Sequence, residues 1–392
     1  MSQNFGLTEN YQCDDPELAC LTDPKRAKRP YCILKLLGHG AFGDVYLAMT
    51  SIPIYNLDYY PNKPETPVLT SPVQLVAIKH FKETCNLQNV QNEIKTLNHV
   101  RRCKGVARAI DLVIGDRSVM LVMQYHPSVD FRAVCSNHAW TPAMAIKYVR
   151  SILTAVNEIH AAGVIHRDIK PDNFLFDPET GSGVLIDFGL AVTRPTPYTF
   201  TPGTDLQGVD LAPSDRGTAH GEKFRTAPGT AGFRAPEALL GQMRQTSWAG
   251  LDVWSVGVML LMMLTNRTSI MRTRASMPIP VDESNLIAGE HAIELFMVRA
   301  LVGDAAFRSG LSSMGCAIAL PVKCDELPIT TTIRDVLRAY SASSEAIPGL
   351  WDLCEGLLTV DPFERWSAVK ALDSSVFQLS DEELAKFSSS RH

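Results

Sequence analysis

The sequence has no C-x-x-C pair, although it holds nine cysteines, at positions 13, 20, 32, 85, 103, 135, 316, 324 and 354. Scattered thiols of this kind suit a reducing cytosol or nucleus. Cys316 and Cys324 lie close enough to share a metal with a further ligand, but without the C-x-x-C spacing inert thiols are the simpler reading. Nothing at the amino terminus joins a basic start to an apolar stretch, so no signal segment is expected. The longest nearly apolar run, Val253 to Leu264, is twelve residues, too short to cross a bilayer. A basic excess is missing too: 37 Lys and Arg stand against 42 Asp and Glu, a net charge of −5. That balance gives no reason to expect general binding to nucleic acid or membrane. What the chain does have is 45% apolar residues over 392 positions, enough for a sizeable core and incompatible with disorder throughout.

The other features fall into order around His166-Arg167-Asp168-Ile169-Lys170-Pro171-Asp172-Asn173, which sets a carboxylate, a cation and an amide at fixed offsets on one loop. Upstream, from Tyr31, the chain runs apolar strand, glycine turn, apolar strand, with Gly38, His39, Gly40 and Gly43 in the turn and Val45 after it. A G-x-G-x-x-G by itself also fits dinucleotide-binding folds, but those continue into a helix and here a strand follows. Val76-Ala77-Ile78-Lys79 resumes the β pattern after an insertion at 50–72, where prolines at 53, 61, 64, 67 and 72 exclude a continuous strand or helix. Leu87, Val90, Ile94 and Leu97 trace one helical face, and Glu93 lies on the same helix. Strands at Ala107 to Ile114 and Ser118 to Met123 meet at Gly115-Asp116; Gln124, Tyr125 and His126 follow, and Pro127 stops the strand. Thr141 and Pro142 then open a helix with Ile146, Val149, Leu153, Val156 and His160 on one face, ended by Gly163.

Beyond the loop, a short hairpin of Phe174 to Phe176 and Val184 to Ile186 leads into Asp187-Phe188-Gly189. A proline-, glycine- and threonine-rich excess at 194–222 reads as a second insertion. Its Thr196-Pro197 and Thr201-Pro202 have the form of proline-directed phosphosites, a form common in any such loop. Gly229-Thr230-Ala231-Gly232-Phe233-Arg234 precedes Ala235-Pro236-Glu237. Glu237 is expected to form a buried ion pair with Arg365, and Asp252, opening an apolar helix, to cap the backbone of the loop at His166 to Asn173. Residues 265–350 read as a third insertion, with helical pieces at Ala292 to Leu301 and Thr332 to Tyr340 separated by small residues; Trp351 to Leu358 and Ala368 to Leu372 close the fold. The first thirty residues are polar and aperiodic and read as a mobile arm. Its run Lys25-Arg26-Ala27-Lys28-Arg29 fits a nuclear localisation patch and equally a solvated charge cluster.

The glycine turn, V-A-I-K, H-R-D and D-F-G, in that order, resemble the eukaryotic protein kinases from Tyr31 to Phe377; Lys170 with Thr230 is the serine/threonine form. The resemblance implies an α+β, bilobal fold: a small antiparallel sheet lobe with one helix at about 31–125, a mainly helical lobe at about 126–378, an extension at 1–30 and a tail at 379–392. It implies that Asp168 is the base, Lys170 neutralises the transferring phosphoryl group, and Asn173 and Asp187 hold Mg²⁺. ATP would meet Gly38, His39, Gly40, Gly43, Val45 and Ala77, with Lys79 on its phosphates, Glu93 paired to Lys79, Met123 as gatekeeper, and Gln124 and His126 in the hinge. Thr230 would brace the base, and Arg234 would face an acidic residue after the substrate serine or threonine.

Within the kinases, H-R-D-I-K-P-D-N-F-L, D-F-G-L-A and G-T-A-G-F-R-A-P-E resemble the cell division cycle seven family. That implies a nuclear enzyme, with a cytoplasmic pool allowed, that phosphorylates the minichromosome maintenance helicase and depends on an activator of S-phase kinase subunit. Casein kinase one shares Asn173-Phe174-Leu175 but lacks A-P-E, and is the alternative enzyme. A pseudokinase scaffold is the alternative of another class, against which Lys79, Glu93, Asp168, Asn173 and Asp187 are all intact.

Overall fold

The computed structural model describes residues 31–40, 43–50, 74–81, 85–115, 118–193, 227–241, 248–270, 289–316, 347–380 and 382–384, with Leu18, Leu21 and Ile333. The basic run at 25–29, residues 51–72 and 194–222 of the insertions, Cys13, Cys20, Cys324, Asp116 and all of the proposed 332–340 helix but Ile333 lie outside the described residues. The chain divides into two compact units, one of residues up to 101 with 107–126, the other of 102–106 with 127 onward. The short return of 102–106 was not foreseen: Leu185 N donates to Gly105 O at 2.8 Å and Lys104 N to Glu158 Oε2 at 3.3 Å, which ties that stretch to the second unit.

The first unit is an antiparallel sheet of five strands, β1 (Cys32–His39), β2 (Gly43–Thr50), β3 (Gln74–Phe81), β4 (Ala109–Ile114) and β5 (Val119–Gln124), in the order β1-β2-β3-β5-β4. Strand alternation splits the residues between two faces. Ile33, Ala48, Val76, Ile78, Met120 and Val122 form a core on one face. The register sets Val45 opposite Lys79, Lys79 opposite Leu121 and Ala77 opposite Met123, so these side chains share the other face. At Gly43 an added Cβ would run into the carbonyl of His80 on β3, so the close approach that ends the glycine turn admits no side chain.

Helix α1 (Leu87–His99) is capped by Asn86, whose side chain accepts from Gln88 N. Its buried residues are Val90, Glu93, Thr96 and Leu97, while Leu87 is 69% exposed. The helix is therefore rotated from the expected stripe, with Glu93 inside it. Glu93, expected to pair with Lys79, lies inside because that partner draws it in.

The arm reading of residues 1–30 needs correction at two positions. Leu18 and Leu21 are 4% and 1% exposed and belong to the core of the sheet, and Tyr31 N donates to Leu21 O at 3.1 Å. Two leucines without periodic neighbours carry no local signal; only the apolar sheet face accounts for their burial. Tyr31, 2% exposed, donates its hydroxyl to Asp111 Oδ2 on β4 at 3.1 Å. Tyr31→Phe removes a buried hydrogen bond to a carboxyl group and is expected to cost about 1.5–3 kcal/mol, read as a lower urea midpoint with an unchanged slope.

The second unit is built on two long helices, α3 (Pro142–Ala161) and α5 (Ala249–Thr265), with the short helix α2 (Phe131–Ser136) preceding α3. Thr141 Oγ accepts from Met144 N and Pro142 sits in the first turn of α3, as expected from sequence. α5 is buried along nearly its whole length. It begins at Ala249, three residues before Asp252, so Asp252 lies in its first turn rather than at its cap. Two-stranded sheets pair β6 (Val164–Ile165) with β9 (Val192–Thr193), and β7 (Phe174–Asp177) with β8 (Ser182–Leu185). Among the described residues no helix is long and apolar enough to cross a membrane.

Short helix α4 (Pro236–Leu239) begins within the A-P-E motif, with Ala235 at its cap, and α6 (Gly289–Val302) packs against it and against α7 (Asp304–Ser313). The third insertion is corrected here, because its residues 289–313 are part of the unit's core: Leu295 and Val298 are fully buried and Phe307 is 1% exposed. α7 falls where small residues suggested a connection; Phe307 and Leu311 at i and i+4 give it a buried face. Helices α8 (Leu350–Leu357) and α9 (Ala368–Leu372) close the unit. In the expected tail Leu384 is buried too.

Candidate active site

In the first unit, Lys79 Nζ donates to both oxygens of Glu93, at 2.8 and 2.9 Å, and the two residues are 6% and 2% exposed. The pair expected from the V-A-I-K strand and the next helix is thus made within this unit. Gly40 N donates to Gly43 O at 2.7 Å, which closes the glycine turn, and His39 Nδ1 lies 2.9 Å from Asp44 Oδ1. Val45, Ala77 and Met123 lie on the Lys79 face of the sheet, which gives an apolar surface beside a cation. Gln124 ends β5, and its N–H donates to Arg108 O at 3.0 Å. Burial, then the Arg108 charge, lowers the pKa of His126 below the ordinary imidazole value.

In the second unit, the catalytic loop hangs from Asp252. Its Oδ2 accepts from His166 N at 2.9 Å and its Oδ1 from Arg167 N at 2.8 Å, while His160 Nε2 lies 2.8 Å from Oδ2. Arg167 takes φ 66°, a left-handed conformation rare outside glycine, which the two bonds to Asp252 hold in place. His166 Nδ1 accepts from Asp168 N at 3.3 Å and its Nε2 meets Ile186 O at 3.0 Å, which assigns the proton to Nε2.

Asp168, 6% exposed, is held on both oxygens. Thr230 Oγ1 donates to Oδ1 at 2.7 Å; Lys170 Nζ at 2.8 Å and Asn173 Nδ2 at 3.0 Å donate to Oδ2. Lys170 Nζ also donates to Thr230 Oγ1 at 2.9 Å. Burial alone would raise the pKa of this carboxyl, but the hydrogen bonds from Lys170 and Thr230, with the nearby Lys170 and His166, hold it below its ordinary 3.8. It is a fixed, ionised acceptor at neutral pH. Gly229 passes over the loop at φ 93°, where a Cβ would sit 2.6 Å from Arg167 O, so only glycine brings Thr230 this close.

Asn173 donates through its nitrogen, which leaves its oxygen available to a hard cation, and Asp187 follows β8 with φ 62°. Among the described residues no three His, Cys, Asp or Glu side chains gather into a metal cluster. An amide oxygen and a carboxylate fit a Mg²⁺ that takes its other ligands from phosphate and water.

Glu237 and Arg365 meet as expected. Arg365 Nη1 and Nη2 donate to Oε1 and Oε2 at 2.6 and 2.9 Å, and both side chains are fully buried.

Arg234 requires correction. Its Nη1 donates to Glu294 Oε1 at 2.8 Å and its Nε to Gly229 O at 3.0 Å, with only 13% of the side chain exposed. Glu237 is taken up by Arg365. Glu294 lies on α6, sixty residues away, and no spacing in the sequence links them. Sequence reasoning also missed His291, one turn earlier on α6, whose Nε2 accepts from Ala227 N at 3.4 Å.

The protein kinase domain family matches residues 68–377. This chain belongs to the protein kinase family. Among its relatives, the cell cycle protein kinase spo4 of Schizosaccharomyces pombe is 28% identical over 93% of this chain and 89% of its own length. The probable cell division control protein 7 homolog 2 of Encephalitozoon cuniculi is 30% identical over 60% of this chain and 65% of its own length. The cell cycle serine/threonine-protein kinase hsk1 of Schizosaccharomyces pombe is 34% identical over 49% of this chain and 40% of its own length. The chain is a serine/threonine protein kinase, distantly related to the cell division cycle seven kinases, and the five-stranded sheet with its helix and the mainly helical second unit have the protein kinase fold.

Proposed function

We propose that this kinase acts in the nucleus, in the cell cycle, and transfers the γ-phosphate of ATP to serine and threonine of the minichromosome maintenance helicase. The observation that carries the catalytic part is the carboxylate of Asp168 held at once by Thr230, Lys170 and Asn173. In this reading Asp168 accepts the substrate hydroxyl proton and Lys170 offsets charge on the transferring group. Lys79, kept in place by Glu93, holds the α- and β-phosphates. Gly38, His39, Gly40 and Gly43 cover the phosphates with backbone amides, Val45, Ala77 and Met123 enclose the adenine, and Gln124 and His126 present hinge backbone to it. Asn173 and Asp187 hold Mg²⁺, which neutralises phosphate charge when bound.

The cell-cycle part rests on the kinship with spo4 and hsk1. An acid-directed preference belongs to this reading only if a substrate carboxylate replaces Glu294 on Arg234. An activator of S-phase kinase type belongs to it as well. Since the Lys79–Glu93 pair is made within the chain, such a subunit would act by holding it closed against alternatives. Turnover on a helicase amino-terminal tail is expected to rise at least about tenfold with the activator, which needs only about 1.4 kcal/mol of bias. Full turnover by the chain alone, with no such subunit recovered beside it from cells, would remove the activator from the account.

A further inference from the structure

We propose that Glu294 is a positioning residue for phosphoryl transfer, acting through Arg234 and Gly232 on the turn that carries Thr230; this rests on the reading of Asp168 as the base. The carboxylate, on a residue 7% exposed, reaches the turn at two points. Oε1 accepts from Arg234 Nη1 at 2.8 Å and Oε2 accepts from Gly232 N at 3.0 Å. Arg234 in turn donates from Nε to Gly229 O at 3.0 Å, so its guanidinium spans the turn from one end to the other. Inside that span Phe233 N donates to Thr230 O at 3.1 Å, and Ser255 Oγ on α5 donates to Phe233 O at 2.8 Å. Thr230 then donates to Asp168 Oδ1 at 2.7 Å.

A line of hydrogen bonds, joined through the Gly229–Thr230 peptide bond, therefore runs from α6 to the base. Its geometry is directional at each step: a carboxylate fixes a planar guanidinium, the guanidinium fixes a carbonyl next to Thr230, and the threonine hydroxyl fixes the orientation of the Asp168 carboxylate. An apolar contact between α6 and this turn would hold the two together but would not set the rotation of Thr230. His291, three residues before Glu294 on the same helical face, adds a second grip at Ala227. Small shifts of a reacting group cost rate steeply, so loosening the turn is expected to act on the chemical step.

The test is a kinetic cycle in the full chain. Glu294→Ala is expected to lower kcat for a serine peptide by about ten- to a hundredfold while KM for ATP changes by less than about twofold. Glu294→Gln, which keeps an acceptor for Gly232 but loses the charge facing Arg234, falls between. In a Thr230→Ala background the same Glu294→Ala change is expected to cost almost nothing further, because both act through one hydroxyl. Unchanged kcat in Glu294→Ala, or losses that multiply in the double variant, would overturn the proposal. Should Glu294→Ala lose its folded thermal midpoint, Glu294→Gln, which keeps the side-chain size and the acceptor for Gly232 N, decides. A lower kcat at an unchanged midpoint supports positioning, and wild-type kcat at an unchanged midpoint refutes it. Asp168→Asn runs alongside: if wild-type turnover does not depend on Asp168, it is the reading of the base that fails, whatever Glu294 does.

Discussion

Asp168→Asn is expected to lower turnover by about 10²- to 10⁴-fold with ATP affinity nearly unchanged. The substitution keeps the size of the side chain and removes its charge and one of its acceptor oxygens. Three donors, from Thr230, Lys170 and Asn173, converge on the carboxylate. An amide offers them one oxygen and presents its own NH₂ to at least one donor, so orientation is lost together with basicity. ATP affinity is expected to be spared because Lys79, the cation proposed for the phosphates, is held by Glu93. The same contacts fix the pH dependence. A carboxyl held below 3.8 remains ionised as pH falls to that value, and the stability it contributes is lost only below, as pH passes through its depressed pKa. An acid limb centred well above that value would come from another group. Single-turnover transfer and nucleotide binding, measured on the same preparation, separate the two effects, and an unchanged single-turnover rate would remove Asp168 from its role.

Arg365→Ala is expected to destabilise the second unit by about 3–5 kcal/mol, the largest stability loss foreseen for a single side chain here. All five guanidinium N–H groups are used. Two go to Glu237, and the others go to Gly250 O at 2.9 Å, Thr359 O at 2.8 Å and Val360 O at 3.1 Å. Truncation leaves a fully buried carboxylate without its cation and three carbonyls without the donor that Arg365 supplied. The guanidinium also lies 5.0 Å from the ring of Trp254, so the loss is visible in fluorescence as well as in the urea midpoint. Arg365→Lys should recover only part of it, because a single ammonium cannot make the two parallel bonds to Glu237 or fill the remaining directions. A midpoint shift below about 1 kcal/mol for Arg365→Ala would show that the pair adds little beyond its own desolvation.

The catalytic loop was legible because its chemistry is local in sequence. Asp168, Lys170 and Asn173 lie within six positions, and Asp187 follows a short hairpin that returns the chain to them. Glu237 and Arg365 were legible for a different reason, since each sits in a motif of its own. The helix caps at Thr141 and the strand register around Lys79 follow from rules that act over a few residues. What escaped depends on single residues meeting across the chain. Leu18 and Leu21 have no periodic neighbours, yet an apolar sheet face takes them in. Glu294 lies in a stretch that small residues on either side made look inserted, and only its contact with Arg234 shows that α6 belongs to the active part of the unit. The face of α1 was misjudged because it was traced through apolar residues alone, whereas Glu93, expected as the partner of Lys79, lies on the buried side with Val90 and Leu97.

The measurement that bears most directly on the whole account is phosphate transfer by the purified chain incubated with γ-labelled ATP, Mg²⁺ and casein, compared with Asp187→Ala. The account predicts label on serine and threonine of casein or of the chain itself, dependent on Mg²⁺, and at least about a hundredfold less of it in Asp187→Ala. Equal labelling by wild type and Asp187→Ala, or label confined to tyrosine, would contradict it.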